Sequence, residues 1–138
     1  MRRSRAALAA AFALGSGVAS AADTPTLRSG QDFYKAACAQ CHGADAKGNG
    51  PIAGVLTVKP TDLTTMSRRA GGQFPFYEAF KMIEGRTPVA AHGTREMPAW
   101  GAILEIESRG QPAGTSPSTY AYGRISELLV YLESIQQR

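Results

Sequence analysis

The run Cys38-Ala39-Gln40-Cys41-His42 constrains this chain more than any other stretch. Two cysteines three residues apart lie near one face of a helical turn, and a histidine follows directly. A Cys-x-x-Cys-His run reads as a covalent attachment site for c-type haem. Cys38 and Cys41 each supply a thiol for a thioether to a vinyl group. His42 then lies under the porphyrin and offers a ring nitrogen to the iron. The run thereby sets a compartment, a reaction class and a ligand still to be found. The other chemistries open to the pair are a redox dithiol and half of a zinc site. A thioredoxin-type dithiol expects a βαβ context, and none is evident. Zinc needs two more ligands, yet beyond His42 the chain offers His92 as its only other histidine and no third cysteine.

The N-terminus agrees with an oxidising, exported setting. Arg2, Arg3 and Arg5 form a basic leader, Ala6 to Val18 is apolar, and Ala19-Ser20-Ala21 has the small-x-small pattern of a signal-peptidase site. Residues 1–21 are expected to be a cleaved signal peptide and 22–138 one domain, placed in the periplasm. An uncleaved anchor is the alternative, but about 13 apolar residues fall short of the ~20 that span a bilayer. No later segment is longer, so no membrane span is expected after cleavage.

Charge follows the same division. The chain has 15 Lys/Arg against 11 Asp/Glu, a net +4, and three of the arginines belong to the leader. The remainder is close to neutral, which excludes nucleic-acid binding as a reading of its basicity. Because both cysteines sit in the attachment run, no structural disulfide is available once haem is bound.

The rest reads as short helices and long loops, an all-α fold class. Ser29 is the expected N-cap of a first helix, with Asp32 at the capping-box position and the helix running from about Gly30 into Cys41. Gly43 fits a left-handed stop, and Gly43 to Pro51 is too glycine-rich for regular structure. A turn falls at Lys59-Pro60, with a short helix after Thr61 or Asp62. Phe74 to Ile83 has Phe76, Phe80 and Ile83 on one face, and Gly85 ends that helix. Thr87 to Pro98 is irregular. A further helix spans Pro98 to about Ser108, Arg109 to Thr119 is a polar loop, and a last helix spans about Thr119 to Gln136. Ile125, Leu128, Leu129, Leu132 and Ile135 supply its apolar face.

With these residues in view, the chain resembles the class I c-type cytochromes, exported bacterial monohaem electron carriers. The resemblance covers roughly residues 27–137. It implies a small domain of four to five helices with long loops wrapped around one covalent haem c. In that family a glycine eight residues before the first cysteine and an aromatic four before it lie where the first helix crosses the last. Gly30 and Tyr34 hold those offsets, and Leu128 with Tyr131 answers them. Gly50-Pro51 resembles the family's loop after the haem site, which implies that the Pro51 carbonyl accepts a hydrogen bond from His42 Nδ1–H.

The sixth iron ligand decides function, because two protein ligands make an electron carrier and an open position permits binding or catalysis. The candidates are Met66, Met82, Met97 and His92. Met82, beside Phe80 and Ile83, reads as core filler. Met97-Pro98-Ala99-Trp100 resembles the family's axial methionine loop next to proline, so Met97 is assigned. Trp100 is either a core aromatic against the haem or an indole donor to a propionate. Tyr77, Arg86 and Arg95 are further propionate candidates.

The expected function is single-electron transfer without enzymatic turnover. Redox partner proteins would dock transiently, and Lys35, Lys47, Lys59 and Lys81 are candidates for steering an acidic one. Such a chain acts as a monomer or as a dedicated subunit of a dehydrogenase, oxidase or reductase. The other classes are a haem enzyme and a gas sensor with a labile sixth ligand.

Overall fold

The structure, a computed structural model, describes residues 24–86 and 97–137. The expected leader and the stretch holding His92 and Arg95 lie outside those residues. Regular structure within them is helical, in agreement with the all-α expectation.

Thr24-Pro25 starts the chain's first helix, α1 (Pro25–Phe33), earlier than expected. The Thr24 hydroxyl accepts a hydrogen bond from the Leu27 N–H at 3.2 Å, and Pro25 takes a first-turn position where its missing N–H costs nothing. Ser29 is therefore not the N-cap. It lies within the helix, and its hydroxyl donates to Glu127 Oε2 at 2.6 Å while accepting from Arg124 Nη1 at 2.6 Å. The helix continues through a π-helical turn, Tyr34–Cys38, into α2 (Ala39–His42).

Beyond the loop, Asp62 caps a short 3-10 turn, Leu63–Thr65, that leads into α3 (Met66–Arg69). Next come α4 (Phe76–Glu84) and its left-handed stop at Gly85, φ +79°. The two remaining helices are α5 (Trp100–Glu107) and α6 (Pro117–Ser134). These positions follow the sequence reading within the usual uncertainty of helix ends.

Helix α6 is the hub against which α1, α4 and α5 all pack. Its Ile125, Leu128, Leu129 and Leu132 are buried, as the apolar spacing predicts. The crossing with α1 is made at Gly30. A side chain there would overlap the Glu127 carbonyl and reach within 3.0 Å of Tyr131 Cβ. Glycine thus permits a backbone-to-backbone approach that no other residue allows. One turn on, the Tyr34 and Tyr131 rings meet at 5.3 Å between centroids, and Leu128 is buried beside them. The four residues singled out from two distant segments come together here.

A second close approach joins α4 to α5. Glu84 is buried, and its side chain lies against Gly101, where a Cβ would come within 2.7 Å of Oε1. Arg86 bonds Glu84 through both its N–H (2.9 Å to Oε2) and its guanidinium, whose Nη1 also reaches Glu105 at 2.9 Å. Arg86, a propionate candidate from sequence, is committed to this clasp.

Adding a methyl at Gly30 should cost about 2–3 kcal/mol, the scale of overpacking a well-filled contact. Gly54, with open space around it, is the control, and Gly54→Ala should change stability by less than about 0.5 kcal/mol. Guanidinium unfolding of the two holoprotein variants checks this, and equal midpoints would refute the crossing.

Candidate functional site

The end of α2 carries the Cys-x-x-Cys-His run, and the following loop is shaped by what that helix end requires. The last carbonyls of a helix have no partners within it. Here the Gln40, Cys41 and His42 carbonyls accept from the N–H groups of Ile52, Gly50 and Gly48, at 3.1, 3.1 and 2.8 Å. Every second residue of the loop thus bonds one carbonyl, running backwards along the helix end. Gly50 lies directly on the helix backbone, where a side chain would overlap the Gln40 carbonyl. At Gly43 the chain turns with φ +82° and ψ 157°, a positive-φ exit outside the left-handed helical well that was expected.

This pairing decides which carbonyl reaches His42. The bonds from Gly50 and Ile52 hold Pro51 alongside the helix backbone, where it is exposed. The loop returns at Pro60, which abuts Gly48. Thr61 comes next, and its carbonyl stands 3.0 Å from His42 Nδ1. The expectation that Pro51 supplies this carbonyl is corrected: Thr61 does. The consequence for the ring is the one expected of Pro51. A carbonyl only accepts, so Nδ1 carries the proton and Nε2 keeps the lone pair. Burial holds the His42 pKa below its ordinary value, partly offset by the Thr61 bond. The neutral form, with a lone pair on Nε2, is thereby favoured.

Neither cysteine is in a disulfide, and both are half-buried. Burial, with the neighbouring Cys41 second, pushes the Cys38 thiol up to about 12. Tyr34 lies between this run and the core. Its hydroxyl donates to the Gly43 carbonyl at 2.6 Å, and its pKa is raised, mainly by burial. The Tyr34–Cys38 π turn closes on a bond from the Ala39 N–H to the Tyr34 carbonyl. π turns of this kind are frequent at functional sites.

The other site candidates are spread more widely. Met97 is half-buried against the same core cluster that Cys38 touches, and so is Met66. Met82 is half-buried on α4. Trp100 packs edge-on against Phe33, centroids 5.7 Å apart, the core-aromatic arrangement. It also lines an open groove of about 850 Å³ with Ala36 and Ala37, the residues just before Cys38. Tyr77 is exposed and lies under Lys81 Nζ, 4.4 Å from its ring centre. Lys35 faces Asp32 at 3.8 Å on the surface.

A family model described as cytochrome c oxidase, cbb3-type, subunit III matches residues 25–109. The chain belongs to this family. It is accordingly a class I c-type cytochrome domain with covalently bound haem c and its iron, and its chemistry is electron transfer. No curated protein and no solved structure matches it significantly. The residues at the helix end fit such a group. Two cysteines outside any disulfide stand beside a histidine whose Nδ1 is already engaged, and Ile52 and Val55 of the next loop expose apolar side chains that a macrocycle would cover. Among the described residues no three His, Cys, Asp or Glu side chains gather into a metal-binding group, so the second half of a zinc site is not found there. No helix among them is long and apolar enough to cross a membrane.

The sequence reading missed Thr61. A backbone carbonyl has no residue signature, and only the Lys59-Pro60 turn marked the place where the chain doubles back.

The raised Cys38 pKa predicts slow alkylation of the haem-free chain. The rate at Cys38 should climb about tenfold per pH unit from pH 8 to pH 10, because the thiolate fraction does. Mass-spectrometric mapping of iodoacetamide labelling checks it. A plateau near pH 9 would contradict the burial.

Proposed function

We propose that this chain is an exported electron-transfer protein whose haem is held by Cys38 and Cys41, with His42 and Met97 as axial ligands. The observation that carries the reading is the His42 ring. It stands at the end of the Cys-x-x-Cys-His helix with Nδ1 engaged by the Thr61 carbonyl, which presents Nε2 as the donor atom. When bound, the haem supplies one-electron chemistry at iron.

Each residue then has a separate task. Cys38 and Cys41 fix one edge of the macrocycle. Thr61 holds the His42 tautomer and orientation and raises the basicity of Nε2. Met97 brings a soft thioether, which favours the ferrous state and a higher potential than a second histidine would. Trp100 and Phe33 form an aromatic wall between α1 and α5, with the Trp100 indole as a candidate propionate donor. Ligands preset in both oxidation states keep reorganisation small. The reading places the mature domain at 22–138 in the periplasm, behind a signal peptide cleaved after Ala21, and needs no catalytic residue.

The dedicated-subunit form of this reading has its own support. Ile103 and Ile106 of α5 are 43 and 61% exposed, so this short helix turns two apolar side chains outward, where a partner could cover them. The family description, an oxidase subunit, points the same way. Transient docking through a haem edge near the surface applies to either form.

The ferric holoprotein should show the weak far-red band of methionine-bound haem, and Met97→Ala should abolish it. That variant should also bind carbon monoxide rapidly and stoichiometrically in the ferrous state, unlike the parent. A band that survives in Met97→Ala sinks the ligand assignment. Rapid binding by the parent would favour the enzyme or gas-sensor class instead.

A further inference from the structure

The segment that delivers the Thr61 carbonyl is itself held by donors from three separate places. Carbonyls 61, 62 and 63 follow one another along the chain. Thr61 faces His42 Nδ1 at 3.0 Å. Asp62 accepts from Arg69 Nη1 at 2.9 Å. Leu63 accepts from Gln136 Nε2 at 2.8 Å. The Leu63 N–H in turn donates to the Ala46 carbonyl at 2.8 Å, tying the segment to the loop below the helix end.

Gln136 does most to join this strut to the rest of the fold. It lies just beyond the end of α6, and all the functional atoms of its amide are used. Nε2 donates to Leu63 O and, at 2.7 Å, to Leu132 O, while Oε1 accepts from the Ser67 N–H at 2.9 Å. One side chain therefore bridges the α6 backbone to both ends of the Leu63–Ser67 segment. Gln137 adds two bonds to Thr64, from its N–H to the carbonyl and from Nε2 to Oγ1, each 2.8 Å. A network in which each member has a partner resists displacement, because any shift breaks several hydrogen bonds at once.

We propose that Gln136 is a positioning residue for the proximal ligand: it locks the Thr61 carbonyl onto His42 and so helps set the reduction potential. The inference rests on the reading of His42 as the axial ligand. Its direction follows from charge. A firm hydrogen bond at Nδ1 makes the imidazole a stronger donor, which favours ferric iron. Loosening the strut weakens that donor and favours ferrous iron.

The test uses the holoprotein and two readouts, a redox titration and the paramagnetically shifted NMR signals of the His42 ring in the ferric state. In Gln136→Leu the ferrous-to-ferric ratio at the parent's midpoint should rise on the order of threefold, a modest loss of outer-sphere support. The His42 Nδ1–H signal should move or exchange faster with solvent. Thr64→Val, which loses both the Gln137 side-chain anchor and the Thr64 hydroxyl's bond to Asp62 Oδ1 on the same strut, should shift both readouts in the same direction, and it serves if Gln136→Leu does not fold. Ser29→Ala is the comparison for plain destabilisation: it removes the Glu127 bond at the far helix crossing and should lower the unfolding midpoint without moving the potential. An unchanged potential in folded Gln136→Leu and Thr64→Val overturns the proposal while leaving His42 as ligand. So does a potential that rises by as much in Ser29→Ala, where only stability should change. A parent protein whose His42 signals are not paramagnetically shifted overturns the ligand reading, and the proposal with it.

Discussion

The approach of α1 to the Glu127 carbonyl at Gly30 sets the position of everything that follows it along the chain. A helix pinned at one point and held by a ring contact one turn later has little freedom to rotate. Tyr34 supplies that second point by packing its ring at a tilt against Tyr131 and bonding the Gly43 carbonyl. The Cys-x-x-Cys-His run lies between those two anchors and the loop, so its orientation is inherited from helix packing. The apolar face of α6 provides the burial that drives this arrangement, while Gly30 selects its geometry.

The loop after the run solves a different problem. Three helix-end carbonyls need donors, and a backbone returning at every second residue supplies them without a single side chain. Only glycine admits so close a return, which accounts for Gly50 on the helix end and for the density of glycine there. Once the loop is laid down this way, the chain comes back past Gly48, and Thr61 arrives at the histidine. Control of the His42 tautomer thus depends on backbone hydrogen bonding some distance away in sequence.

How much of this was legible beforehand depends on what kind of group carries each feature. Side chains at fixed offsets were readable: the Gly30, Tyr34, Leu128 and Tyr131 crossing, and the placing of Cys38, Cys41 and His42 together at a helix end. Helices with clear apolar spacing and a glycine stop, such as α4, were readable too. Features made by backbone atoms were not. The Thr61 carbonyl could not be told from that of Pro51 by composition, and the family resemblance pointed to the wrong one. Ser29 carried a sound N-cap signal, but Thr24 before Pro25 offered a better start, and Ser29 serves the helix crossing. Gln136 read as an ordinary helix-end residue because its three partners are all main-chain groups.

The burial of Cys38 bears on the reactivity of its sulfur. A thiol held near pKa 12 by its surroundings is almost wholly protonated at neutral pH and a poor nucleophile. On the proposed reading this same sulfur has to form a carbon–sulfur bond. In the fold described here that sulfur therefore depends on whatever generates its thiolate, and burial at the helix end works against it.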